Sequence, residues 1–210
     1  MFASGAGSNF EALARAAERG RLGGDVVALL CDQPGAPVIA RAQRLGIEAL
    51  VLGSPRHRTR LDDEQPWLDA LRARQVDVVL LAGFMRRLHE TLLAAYTGRM
   101  LNIHPSLLPA FPGLDAIGQA LRAGVATTGC TVHLVEPALD SGPILAQAEV
   151  AIRPGEPLVA LEARMHEAEW ALYPETVRRF LGEPWRVDGR RVRFGEGPGL
   201  VLPRAEAAHG

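Results

Sequence analysis

A chain of 210 residues that is 48% hydrophobic can bury the core of one full domain, and a formal charge of -1 with a pI near 6.6 gives no field that would hold nucleic acid or an anionic membrane. All 23 basic side chains are arginine, which removes a Schiff-base lysine and a phosphate-loop lysine together. No run reaches the roughly 18 apolar residues a membrane helix needs, and Met1-Phe2-Ala3-Ser4-Gly5 has no basic, then apolar leader, so a soluble cytoplasmic protein is expected.

Met1-Phe2-Ala3 is a strand remnant, shorter than the usual five or six residues or so. Residues 9–19 read as a first helix, with Phe10, Leu13 and Ala17 on one side, Ser8 or Asn9 as cap and Gly20 as stop. The apolar run 26–31 predicts a buried strand, 38–45 a helix closed by Gly46, 47–52 a strand, and 61–74 a helix. Strands over 76–82 and 99–104 follow. Residues 1–100 therefore read as a Rossmann-like α/β half with a mostly parallel sheet, whose ligands gather at the carboxyl ends of the strands.

After the Pro- and Gly-rich loop 105–118 come a short helix ending at Gly124 and strands over 128–135 and 143–152, an antiparallel pair joined by the loop that carries Asp140. Residues 157–181 place Leu158, Leu161, Met165, Trp170, Leu172, Val177 and Phe180 on one long amphipathic helix, kinked at Pro174. Residues 185–194 are a strand, a tight Asp188-Gly189 turn and a strand. The predicted organisation is one domain over 1–182, with halves 1–100 and 101–182, a hairpin appendage over 183–202 and a disordered tail over 203–210.

Chemistry concentrates in Asn102-Ile103-His104-Pro105-Ser106-Leu107-Leu108-Pro109. Met100, Asn102 and His104 alternate with Leu101 and Ile103, so on a strand the amide and the imidazole share one face. Asn offers an N–H to an oxygen gaining negative charge, and His exchanges a proton near neutral pH. With the carboxylate of Asp140, in Leu139-Asp140-Ser141-Gly142-Pro143, these groups could run an acyl transfer. A histidine between apolar residues is also the pattern of a hydrogen-bonded core group, and His133, between Val132 and Leu134, reads as structural. Gly5, Gly7, Ser8 and Asn9 could converge backbone N–H groups on a phosphate, or serve only to cap a helix. His57, His89, His104, His133, His166 and His209 have no ligand spacing with one another or with Cys31 and Cys130, so no metal is expected. The two cysteines read as small buried side chains in a reducing compartment.

Taken in order, Gly7-Ser8-Asn9, Leu81-Ala82-Gly83-Phe84-Met85, the Asn102 to Pro109 run, Pro112-Gly113 and Leu139-Asp140-Ser141-Gly142-Pro143 resemble the phosphoribosylglycinamide formyltransferase family of folate-dependent formyltransferases. The resemblance spans nearly the whole chain. It implies transfer of a formyl group from 10-formyltetrahydrofolate, a co-substrate, to the amine of glycinamide ribonucleotide in purine synthesis, by a monomer or homodimer that needs no metal and no nucleic acid. Asn102, His104 and Asp140 would be catalytic, Asp140 favouring the protonated imidazole. Gly7, Ser8, Asn9, Phe10 and Glu11 would cradle the phosphate, making 1–100 the phosphate-binding half. His166, Glu167, Ala168 and Glu169 would meet the rest of the acceptor, Glu169 suiting a cationic amine.

For the folate, the resemblance implies Arg60, Met85, Arg86, Arg87, Leu88 and Asn102 with Glu136, Pro137, Ala138, Leu139 and Asp140, backbone groups reading the pterin and Arg60, or Arg58, meeting its glutamate carboxylate. Read alone, Arg56, Arg58 and Arg60 are a solvated loop and 81–85 is core. The sequence departs from the family at its short first strand, for which a start upstream of Met1 would account, and at Leu114-Asp115-Ala116-Ile117, where some relatives carry histidines. The rival activity is hydrolysis of 10-formyltetrahydrofolate by the same three side chains. A methionyl-tRNA formyltransferase would need a larger basic C-terminal region, and a non-catalytic folate or nucleotide module would not need the Asn, His and Asp together.

Overall fold

The structure, a computed structural model, describes residues 1–53, 60–61 and 63–195. Strand and helix alternate through β1 (Phe2–Ala3), α1 (Ser8–Glu18), β2 (Ala28–Cys31), α2 (Pro37–Arg44), β3 (Glu48–Val51), α3 (Gln65–Ala73), β4 (Val79–Leu81), α4 (Glu90–Ala95) and β5 (Met100–His104). Then follow α5 (Ala116–Ala123), β6 (Thr127–Leu134), β7 (Ile144–Ala151), α6 (Leu158–Gly182), β8 (Trp185–Asp188) and β9 (Arg191–Phe194). All described strands join one sheet, in the order β3-β2-β1-β4-β5-β6-β7-β9-β8. The first five are parallel; β6 runs antiparallel to both β5 and β7.

Near-continuous apolar strands follow from a sheet covered on both faces. Leu29, Cys31, Leu80, Ala82, Leu101 and Ile103 enter a layer with Phe10 and Leu13 of α1, Val38 of α2 and Met165 and Val177 of α6. The intervening Ala28, Leu30, Val79, Leu81 and Met100 meet Trp67 and Leu71 of α3 and Leu92 of α4 on the other side. Met100 is therefore core, although it shares the strand phase of Asn102 and His104. Cys31 and Cys130 are both buried, and burial pushes the Cys130 thiol up to about 12.

Short as it is, β1 is the middle one of the five parallel strands, Phe2 pairing with Leu30 of β2 and Leu81 of β4. The chain leaves β1 toward β2 and β3 on one side and returns through β4 to β5 on the other. The reversal opens a crevice beyond the carboxyl ends of β1 and β4, the usual ligand position in such sheets. Pro174 lies inside α6 without ending it. The hairpin predicted as an appendage continues the sheet: β9 pairs in parallel with β7, and Trp185 stacks on Phe180 with ring centroids 4.9 Å apart. The predicted tail over 203–210 lies outside the described residues.

Two local expectations change. The helix predicted over 61–74 begins only at Gln65, because Leu61 is buried beside a short bridge between Arg60 and Arg87. Periodicity also gave no sign of α4, six residues long, whose N-cap His89 makes no side-chain cap of its own. Its cap comes from another element: buried Glu64 accepts the backbone N–H of His89 and, at 3.0 Å, that of Leu92. Those are the two donors a local capping box would satisfy. Glu64→Ala is expected to cost about 2 kcal/mol, with Tm falling by roughly 4–8 °C, and Glu64→Gln to cost less because one acceptor remains. Thermal melts of the two variants check both the size and the order.

Candidate active site

Strand alternation puts Asn102 and His104 on one face at the carboxyl end of β5, and the turn after them is pinned by β6 and β7. The Thr131 hydroxyl donates to the Ser106 carbonyl at 2.7 Å and accepts the Leu108 N–H at 3.1 Å. The Gln147 amide donates to the Leu108 carbonyl at 3.0 Å. Pro105 to Pro109 is thus held by polar contacts that local sequence cannot show, and His104 is left 5% exposed.

Asp140 returns to His104 across the loop between β6 and β7. Gly142 permits that return, since a Cβ there would lie 2.0 Å from the Leu134 carbonyl oxygen. Asp140 sits at φ 50°, a left-handed value rare outside glycine. Its Oδ2 accepts the Gly113 N–H at 2.8 Å and lies 3.5 Å from His104 Nδ1, with both side chains about 7% exposed. His104 Nε2 lies 2.9 Å from the Phe111 carbonyl oxygen. A carbonyl only accepts, so Nε2 carries hydrogen, and a protonated ring finds an acceptor for each N–H. Phe111 is itself left-handed, at φ 52°. Strained residues on either side of one imidazole mark a preorganised site.

His133, which reads from sequence as structural, belongs to this site. The antiparallel register sets it opposite Asn102, and its Nε2 lies 3.2 Å from Asn102 Nδ2 and 3.8 Å from Asp140 Oδ1. Burial pushes the His133 ring below its ordinary value, against opposing effects of the Leu134 carbonyl and Asp140, and the nearby His104 lowers it further. His133 is accordingly neutral near pH 7, and the Asp140 contact is no ion pair. Its Nδ1–H donates to the Leu134 carbonyl at 2.8 Å, so Nε2 offers a lone pair to one Asn102 N–H. That choice orients the amide and leaves its second N–H for another acceptor. The available signal was a polar residue in an apolar strand; its partner was not readable.

Beyond β1, Gly7 caps α1 at φ 78°, and a Cβ there would lie 2.4 Å from Val38 Cγ2, so only glycine lets α1 start against α2. The N–H groups of Ser8, Asn9 and Phe10 begin the helix, whereas that of Glu11 already bonds the Gly7 carbonyl at 3.0 Å. Phe10 is wholly buried, and the Glu11 carboxylate is ion-paired with Arg15 and Arg41. Those two side chains are committed elsewhere, which leaves backbone as the phosphate-facing part of the turn. Asn9 Nδ2 donates to Glu169 Oε2 at 2.8 Å, and buried Asn9 Oδ1 has no partner among the described residues. Of the α6 residues, His166 flanks Glu169, Ala168 packs on the core, and Glu167 is exposed.

Burial raises the Glu169 carboxyl above its ordinary value, the Asn9 amide and the His166 charge opposing it. A raised carboxyl makes the native state bind more protons than the unfolded chain. Its contribution to stability is therefore worst above the folded pKa and vanishes below the unfolded value of about 4.3. Glu169→Gln is expected to melt higher by roughly 2–4 °C near pH 7, a gain of about 1 kcal/mol that disappears toward pH 4. Melting curves across that range check the sign.

Of the residues expected to meet the folate, Met85 and Leu139 are exposed apolar side chains, as is Leu114, and Leu139 lies beside Gly113. Glu136, Pro137 and Ala138 are exposed, Arg60 and Arg87 are exposed, and Leu88 is half-buried. Arg86 turns inward, its Nε donating to Asp32 Oδ2 at 2.6 Å, so only its backbone is left toward the crevice. Arg56 and Arg58 lie outside the described residues.

The sequence profile of the formyl transferase family matches residues 1–177. The phosphoribosylglycinamide formyltransferase of Bacillus subtilis (strain 168) is 43% identical over 182 residues, covering 87% of this chain and 93% of that protein. Among solved structures, glycinamide ribonucleotide transformylase 1 from Geobacillus kaustophilus superimposes with a TM-score of 0.82 at 52% identity, covering 86% of this chain and 96% of its own. The transformylase 1 from Symbiobacterium toebii does so with a TM-score of 0.88 at 40% identity, covering 93% and 92%.

Proposed function

The chain belongs to the formyl transferase family, and from that premise we propose that it transfers the formyl group of 10-formyltetrahydrofolate to the amine of 5-phosphoribosylglycinamide, giving formylglycinamide ribonucleotide and tetrahydrofolate in de novo purine biosynthesis. The observation that carries this reading is the meeting of the Asn102 amide, the His104 imidazole and the Asp140 carboxylate at the carboxyl end of β5, within 3.5 Å for the last two. We place the reaction in the cytoplasm; among the described residues no helix is long and apolar enough to cross a membrane.

The acceptor amine attacks the formyl carbon, and the carbonyl oxygen takes up negative charge. The Asn102 N–H left over by His133 meets that oxygen, joined by the Nε2–H of protonated His104 as it exchanges the Phe111 carbonyl for the substrate; one preorganised donor of this kind is worth roughly 3–4 kcal/mol. The C–N bond to the folate then breaks as protonated His104 gives a proton to the departing nitrogen, and the ring, now neutral, takes up the proton that the former amine nitrogen sheds. Asp140 faces the imidazolium before the transfer and again after it. The acceptor's phosphate is read by N–H groups at the start of α1, where the helix dipole favours an anion. Asn9 Oδ1 and Glu169 accept from its hydroxyl or amine groups, and the segments carrying exposed Met85 and Leu139 take the pterin, with Arg60 toward the glutamate tail.

Supplying 10-formyltetrahydrofolate with and without glycinamide ribonucleotide, and following both folate deformylation and the acceptor's mass, tests the reading. Turnover that requires the acceptor and adds a formyl mass to it is expected. Turnover independent of acceptor would replace it with a hydrolase, and binding without turnover with a folate or nucleotide module.

A further inference from the structure

An exposed indole sits beside the acceptor side of the site with no core to join. Trp170 is 42% exposed, whereas Trp67 and Trp185 are each 2% exposed. Its ring lies nearly parallel to that of His166, one turn earlier on α6, with 15° between the planes and 6.0 Å between centroids. Residues four apart on a helix are neighbours, and long helical side chains lean toward the N-terminus, so the Trp170 ring lies alongside the exposed His166. His166 and Glu169 are three apart on the same helix, near enough for a charge on one to act on the other. Glu169 in turn holds Asn9 at the start of α1. An indole face is also favourable for a cationic imidazole.

We propose that Trp170 is a positioning residue: its indole fixes the His166 ring beside Glu169, so that the imidazole meets the ribose-phosphate end of the acceptor without first losing rotamer freedom. The inference rests on the reading that a phosphoribosyl acceptor docks between α1 and α6. Freezing a side chain before binding removes an ordering cost that would otherwise weaken the complex. Trp170→Ala therefore raises KM for glycinamide ribonucleotide roughly two- to fivefold, and the loss falls on KM rather than on kcat. Trp170→Phe keeps a stacking face and restores most of it. In a His166→Ala background Trp170→Ala has no further effect, because the two side chains act as one unit.

The test combines those kinetics with tryptophan fluorescence during titration with ribose 5-phosphate, which requires no formyl transfer. The expected result is a change in emission that Trp170→Phe abolishes, alongside the KM shift and the non-additive double variant. Additive losses, an unchanged KM in Trp170→Ala, or an emission change that survives Trp170→Phe would overturn the proposal. If the wild-type chain fails to turn over glycinamide ribonucleotide while ribose 5-phosphate still perturbs Trp170, the reaction assignment falls and the role of Trp170 at a phosphoribosyl site stands.

Discussion

Asp140→Asn is expected to lower kcat roughly 10²- to 10⁴-fold, the range of a lost acid–base contribution, while the protein folds and binds both substrates. An asparagine can keep an oxygen where Oδ2 now accepts the Gly113 N–H at 2.8 Å, so the left-handed loop retains its anchor. What disappears is the negative charge 3.5 Å from His104 Nδ1. His104→Ala should be at least as damaging, and the double variant no worse than His104→Ala, since groups acting as a unit lose their effect together. Steady-state kinetics over a range of pH, with melting temperatures as control, decide it. Near-wild-type turnover and an unaltered pH profile in Asp140→Asn would remove Asp140 from the mechanism.

The largest stability effect is expected at Asp32→Ala, which should cost about 3–5 kcal/mol and lower Tm by roughly 10 °C. Asp32 and Arg86 are only 2% and 6% exposed at their side chains, and the Arg86 Nε to Asp32 Oδ2 distance is 2.6 Å. Removing the carboxylate takes the 2.6 Å Asp32 contact from a buried guanidinium. Burial alone would raise the Asp32 carboxyl, but hydrogen bonds from Ser4, Arg86 and Gln33, with the Arg86 charge, hold it below the ordinary range. A depressed carboxyl stabilises fully above the unfolded value of about 3.9 and loses that effect as pH falls through the folded one. Denaturant titrations should show the gap between wild type and Asp32→Ala widest near neutral pH and closing under acid. Because Asp32 directly follows β2 and Arg86 lies in the segment between β4 and α4, loss of the pair should also loosen the Met85 to Leu88 segment.

Much of this protein was legible residue by residue. Alternation of helical and strand periods marked the Rossmann-like half, because an element must show its apolar residues at its own period to reach a core. The same period put Asn102 and His104 on one face, and the Asp-Ser-Gly-Pro loop marked a sharp return. Boundaries were poorer: the strand expected over 76–82 keeps only Val79–Leu81, and α4 was missed because six residues capped by a distant Glu64 carry little periodic signal.

Local spacing, then, settled which elements form, which way their side chains alternate, and which chemical groups the chain has to offer. Packing alone decided that His133, 31 positions from Asn102, orients its amide, that Arg86 turns inward to Asp32, and that Glu169 of α6 holds Asn9 of α1. Periodicity reports a residue's neighbours along one element. Pair distances across the sheet and between layers depend on register and burial, which arise only when the whole core closes at once.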